Sequence, residues 1–117
     1  MAGAGDCLFC GIVAKKIPAT IVTESDKSIA FRDINPKAPV HVLVIPKEHI
    51  DNLMALEPRH QDVLMDVHRT IQSVARSEGT AEKGFRVAVN NGKDAGQAVG
   101  HLHYHVLAGR KLSWPPG

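Results

Sequence analysis

Residues His101-Leu102-His103-Tyr104-His105-Val106-Leu107-Ala108 carry a histidine at every second position and then run into apolar side chains. Successive side chains of an extended strand point to opposite faces, so this spacing predicts a strand with its three imidazoles on one face. At a rise of about 3.3 Å per residue, neighbouring imidazoles stand roughly 7 Å apart. Leu102, Tyr104 and Val106 then face the other way, into a core. Near neutral pH an imidazole serves as nucleophile, proton carrier or metal ligand. A row of three in register therefore marks this strand as a candidate site rather than a merely histidine-rich surface.

The rest of the chain reads as the scaffold for that strand. Cys7 to Ala14 reads as a short helical turn broken at Ile17-Pro18-Ala19. Ile21–Glu24 and Ser28–Asp33 read as a hairpin closed by Ser25-Asp26-Lys27. A proline-marked loop follows, and then the β-branched run His41–Ile45, a buried strand ended by Pro46. Val63, Leu64, Val67, Ile71, Val74 and Ala75 recur at three- and four-residue steps, which predicts one long helix over Pro58–Glu78. His60 and His68 are expected on its polar, solvent-facing side. Phe85–Asn90 is a further strand, and Asn91–Gly100, with three glycines, is the loop into the histidine strand. The order predicts an α+β domain with a mostly antiparallel five-stranded sheet and one long helix.

At 117 residues the chain has the length of one domain, taken as 1–117 with a flexible start at 1–5. Its net charge of +2 comes from scattered basic residues, which gives no expectation of nucleic-acid or membrane binding. The small, uncharged N-terminus does not read as a signal peptide, so a cytoplasmic protein is expected. In that compartment the two cysteines are thiols or metal ligands rather than a disulfide.

The segment Asn90-Asn91-Gly92-Lys93-Asp94-Ala95-Gly96-Gln97-Ala98-Val99-Gly100 can turn successive N–H groups toward one point, an anion-binding nest directly before the histidines. At this point the residues resemble a known family. His101-Leu-His-Tyr-His-Val-Leu matches the histidine-triad motif. Ile17-Pro18-Ala19, Phe31-Arg32-Asp33-Ile34, Ala38 through Lys47 and Trp114-Pro115-Pro116-Gly117 resemble the nucleotide-binding HINT branch of that superfamily. The resemblance covers nearly everything from Cys7 onward. It implies a purine nucleoside phosphoramidase, acting on nucleotides of the AMP or GMP type through a nucleotidyl-histidine intermediate.

Carried onto this sequence, the resemblance makes His103 the nucleophile and His105 a phosphate contact, with His41 supporting both from a neighbouring strand. Loop N–H groups from Gly96 to Val99, with Ala98 between, would stabilise charge in the transition state. Asp33 would accept the ribose hydroxyls, and Phe9, Ile12, Ile17, Phe31 and Ile34 would form the slot for the base. Asn90 would reach the ribose-phosphate region. One position departs from the pattern: Ala98 stands where close relatives carry a serine, so no hydroxyl assists the leaving group there.

Cys7-Leu8-Phe9-Cys10 supplies two thiolates at a spacing that fits one tetrahedral Zn²⁺, which needs four ligands. The resemblance completes the set with His49 and His101, a structural zinc. It also implies a homodimer whose sheets join into ten strands, with the tail 109–117 at the interface and Trp114 directed at the partner's site. Three other readings compete: a dinucleoside polyphosphate hydrolase, a nucleotide-binding interaction protein with vestigial catalysis, and a purely structural zinc module.

Overall fold

The computed structural model describes residues 7–114. The expected flexible start, and Pro115-Pro116-Gly117 of the tail expected at the interface, lie outside the described residues. Helix α1 (Leu8–Val13) is followed by β1 (Ile21–Glu24), β2 (Ser28–Arg32) and β3 (Val40–Pro46). Two 3-10 turns, Leu53–Ala55 and Pro58–His60, lead into helix α2 (Gln61–Ser77), and β4 (Arg86–Ala88) and β5 (Tyr104–Ala108) close the chain. The sheet order is β1-β2-β3-β5-β4, and every neighbouring pair is antiparallel. The α+β expectation with one main helix therefore holds. No helix of the described residues is long and apolar enough to cross a membrane.

The sheet is the middle layer, and its alternation sorts the side chains. On one face Ala30, Val42, Val44, Leu102, Tyr104 and Val106 pack with Val67, Ile71 and Val74 of α2. On the other, Ile29, Phe31, Leu43 and Ile45 pack with Cys7, Phe9 and Ile12. Strands β2 and β3 are thus covered on both sides, which is why their sequences are nearly unbroken apolar runs. Ser28 is the buried polar exception in β2. Its hydroxyl donates to Asp66 at 2.6 Å and lies 2.6 Å from the Thr70 hydroxyl, so α2 is also pinned to the sheet by polar contacts.

Several boundaries differ from the sequence expectation, each for a local reason. The histidine strand begins at Tyr104 rather than His101, because the Leu102 N–H donates to the Ile50 carbonyl at 2.7 Å, outside the ladder. The face alternation still persists back to His101. β4 is three residues long instead of six and lies at the sheet edge, where Phe85 and Val87 stay about two-fifths exposed. The first turn of the long helix is 3-10, and the reason is His60. This residue is 2% exposed, contrary to the surface position expected for it. Its Nδ1 accepts from the Glu57 N–H at 2.9 Å, and its Nε2 lies 3.2 Å from the Glu48 carboxylate. A buried polar ring is stable only when so partnered, and here it ties the start of α2 to the segment after β3. His68 is exposed as expected, its ring edge-on to Tyr104.

Candidate active site and metal centre

The face opposite α2 holds a cleft of about 410 Å³. Phe9 and Ile12 of α1, Ile17, Phe31 of β2, Ile34 and Val99 supply apolar walls, and Asp33, Ala98, His103 and His105 complete the lining. All ten of these residues were singled out in the sequence. Leu8, Pro18, Ala19 and Leu43 also line it and were missed, although Leu43 could have been found. It sits two residues after His41 in β3, on the same face, and pairs directly with His105 of β5. Gly11 lets the slot form, because a methyl group there would collide with the Ile17 side chain.

Asn90, Gly96 and Trp114 are not part of this lining. Asn90 lies in an adjoining hollow with Asp33, His41 and His105, on the far side of His105. The Gly96 N–H is bonded to the Lys93 carbonyl and the Gln97 N–H to that of Gly92, so these two amides close the loop on itself. The N–H groups of Ala98 and Val99 meet no acceptor among the described residues. The part of the expected nest able to receive an anion is therefore narrower than Gly96–Val99. Trp114 is 75% exposed, with the Arg86 guanidinium 5.4 Å over its ring.

Hydrogen bonds set the protonation pattern of the histidines. His103 Nδ1 lies 2.8 Å from the carbonyl of His101, which can only accept, so Nδ1 carries the proton and Nε2 holds the lone pair. His41 Nδ1 accepts from the Lys37 N–H at 3.0 Å, so its proton is on Nε2. That proton faces His105 Nδ1 at 2.9 Å and the Asp33 carboxylate at 3.3 Å, the shorter approach being to His105. His105 Nδ1 is then an acceptor, and its proton lies on Nε2. That atom is buried and has no partner. A buried donor without a partner is costly unless something else binds it.

Burial holds His41 and His105 neutral. It pushes His105 down to about 4, with the adjacent His103 and His41 acting in the same direction and Asp33 opposing. Burial also lowers His41, with Asp33 opposing and Lys37 assisting. Between about 4 and the ordinary value of 6.5, the unfolded chain binds a proton at His105 that the folded one does not. The stability is then fully present above that window and lost as pH falls through it. Urea denaturation across the window should show this decline in the wild type and a shallower one in His105→Gln.

Behind the cleft, Cys7, Cys10, His49 and His101 bring four donor atoms within 4.8 Å of one another. The His101 Nε2 proton goes to the Pro46 carbonyl at 2.8 Å, and that of His49 to the Asp51 carboxylate at 2.8 Å. Each ring therefore turns a Nδ1 lone pair toward the sulfurs, at 3.4 and 3.5 Å from Cys7 and Cys10 for His101, and 3.1 Å from Cys10 for His49. Zn–N bonds near 2.0 Å and Zn–S bonds near 2.3 Å give a tetrahedron with edges of roughly 3.3–3.8 Å, so this donor set fits a divalent metal after slight spreading. Orientation of both imidazoles by outer acceptors is the usual support of such ligands. Burial, then the hydrogen bond and charge of Cys7, push the Cys10 thiol up to about 11. A redox dithiol needs the opposite shift.

Comparison with known proteins bears on both sites. The HIT domain family matches residues 14–112. The 14 kDa zinc-binding protein of Brassica juncea is 46% identical over 114 residues, covering 96% of this chain and 100% of that protein. Adenylylsulfatase HINT1 of Arabidopsis thaliana is 46% identical over 112 residues, covering 94% of this chain and 76% of that protein. The crystal structure of a HIT family hydrolase from Legionella pneumophila matches with a TM-score of 0.92 at 42% identity, covering 95% of this chain and 99% of that one.

Proposed function

The chain belongs to the HIT domain family, and from that premise we propose that it hydrolyses purine nucleoside 5′-phosphoramidates through a nucleotidyl-histidine on His103. The observation that carries this is the pairing of a free His103 Nε2 lone pair with the unpartnered, buried His105 Nε2–H beside it. One is a nucleophile, and the other is a donor awaiting an anionic oxygen. The two rings lie 5.1 Å apart, centre to centre.

In this reading the base enters the apolar slot under Phe9 and Phe31, and Asp33 accepts the ribose hydroxyls. His105 Nε2–H and the Ala98 and Val99 N–H groups receive the phosphate oxygens. His103 Nε2 forms a bond to the α-phosphorus as the P–N bond breaks, and the nitrogen leaves as an amine after taking up a proton from solvent. Water then attacks the same phosphorus, the P–His103 bond breaks and AMP is released, its extra proton going to solvent. The donors act where charge develops, which is where fixed dipoles accelerate most. Cys7, Cys10, His49 and His101 would hold zinc with all four positions filled, so the metal braces the site and supplies no reacting group. A homodimer is part of the same proposal. The exposed edge strand β4 would be covered, and Trp114 would reach the partner's cleft.

Ala98 favours a second reading of the leaving group. With a methyl group there, the protein offers no hydroxyl proton at that position. Sulfate departs without needing a proton, and one relative is named an adenylylsulfatase. Release of AMP from adenosine 5′-phosphoramidate and from adenosine 5′-phosphosulfate should therefore be compared directly, in wild type and Ala98→Ser. Turnover of the phosphoramidate that rises several-fold in Ala98→Ser supports the first reading. A wild type that turns over only the phosphosulfate replaces it with the second, and no turnover of either overturns both.

A further inference from the structure

Gln97 belongs to neither site, yet its amide is fully engaged. Its Oε1 accepts from the Gly92 N–H at 2.9 Å, and its Nε2 donates to the Val99 carbonyl at 3.0 Å and to the Asp51 carbonyl at 2.9 Å. One donor and two carbonyls around an amide admit a single orientation. The first two bonds shape the loop that presents Ala98 and Val99 to the cleft. The third leaves the loop and lands on Asp51.

Asp51 is also the outer partner of His49, accepting its Nε2–H through the side chain. One residue thus holds the candidate metal ligand with its carboxylate and the cleft loop with its carbonyl. Its neighbour Ile50 accepts the Leu102 N–H, between His101 and His103. Residues 49–51 are therefore a short hub bonded to the metal cluster, to the loop and to the histidine segment.

We propose that metal occupancy and nucleotide binding are linked through Gln97, so that each tightens the other. This rests on the nucleotide reading given above. Without a cation, the imidazoles meet the sulfurs only through contacts of 3.1 to 3.5 Å. Four coordinate bonds would fix His49 and with it the Asp51 carbonyl. A loop already ordered by that anchor loses less freedom when it closes on a phosphate. Linkage then requires the bound nucleotide to raise metal affinity by the same factor.

The test is zinc affinity, measured by competition with a chelator, with and without saturating AMP. If the stripped protein does not survive, the rate of zinc loss from the loaded protein replaces it. In the wild type AMP should tighten zinc by about fivefold or more, the lower range of ordinary coupling. In Gln97→Glu the bond from the Gly92 N–H is kept while those to the Val99 and Asp51 carbonyls are lost, and the AMP effect should fall below about twofold. AMP that binds the wild type without changing its hold on zinc overturns the link alone. An undiminished AMP effect in Gln97→Glu overturns the role of Gln97. AMP that does not bind the loaded protein overturns the nucleotide reading, and this inference with it.

Discussion

Replacing His103 with alanine is expected to lower turnover of an AMP conjugate by about 10⁴-fold or more, the usual cost of deleting a covalent nucleophile. AMP affinity should change only a few-fold. The two effects separate because different groups supply them. The His103 ring is held by the His101 carbonyl and packs edge-on against Phe9 at 5.1 Å, which aims its lone pair but leaves little of it for binding. The apolar cleft, Asp33, His105 and the Ala98–Val99 amides remain in His103→Ala. Isothermal titration with AMP beside a turnover assay checks both halves. A variant that loses AMP binding in proportion to activity would make His103 a binding residue, and residual turnover within tenfold of wild type would remove it as nucleophile.

The second large effect is on stability. Stripping the metal, or changing Cys10 to serine, is expected to cost about 3 kcal/mol or more, seen as a fall in Tm of roughly 10 °C or beyond. The four ligands come from distant parts of the chain: α1, the segment after β3 and the start of the histidine segment. Metal binding would therefore close long loops and replace contacts at cluster distances with coordinate bonds. The protein has a hydrophobic core of its own on each sheet face, so stripping should weaken the fold rather than abolish it, unlike a zinc finger. Differential scanning calorimetry with metal content measured on the same sample decides the matter. A purified protein that retains no metal, or an unchanged Tm after chelation, contradicts the metal assignment.

Much of this site was legible in the sequence because it rests on short-range regularities. The alternation from His101 to Val106 sorted the imidazoles and the core residues onto opposite faces, and the packing of Leu102, Tyr104 and Val106 against α2 follows it. The Cys7-x-x-Cys10 spacing, with His49 and His101 taken from the resemblance, led to four atoms that meet in space. What escaped depends on tertiary partners. His60 occupies a position on the helix pattern that reads as solvent-facing, and only the Glu57 N–H and the Glu48 carboxylate explain its burial. The Gln97 side chain drew no expectation beyond its place in the loop, since its bond to the Asp51 carbonyl joins residues 46 apart. Gly96 marks the loop correctly, but its amide is consumed by the turn. Trp114 is not among the residues that line the cleft, so its expected role has no counterpart there.

The most direct test of covalent catalysis is a denaturing quench at alkaline pH, where phosphorus–imidazole bonds persist, during turnover of adenosine 5′-phosphoramidate, followed by mass spectrometry of the peptides. One adenylyl group is expected on the peptide containing His103, and none in His103→Ala. Full turnover with no adenylylated peptide at any quench time, under conditions where a phosphohistidine standard survives, would contradict covalent catalysis at His103.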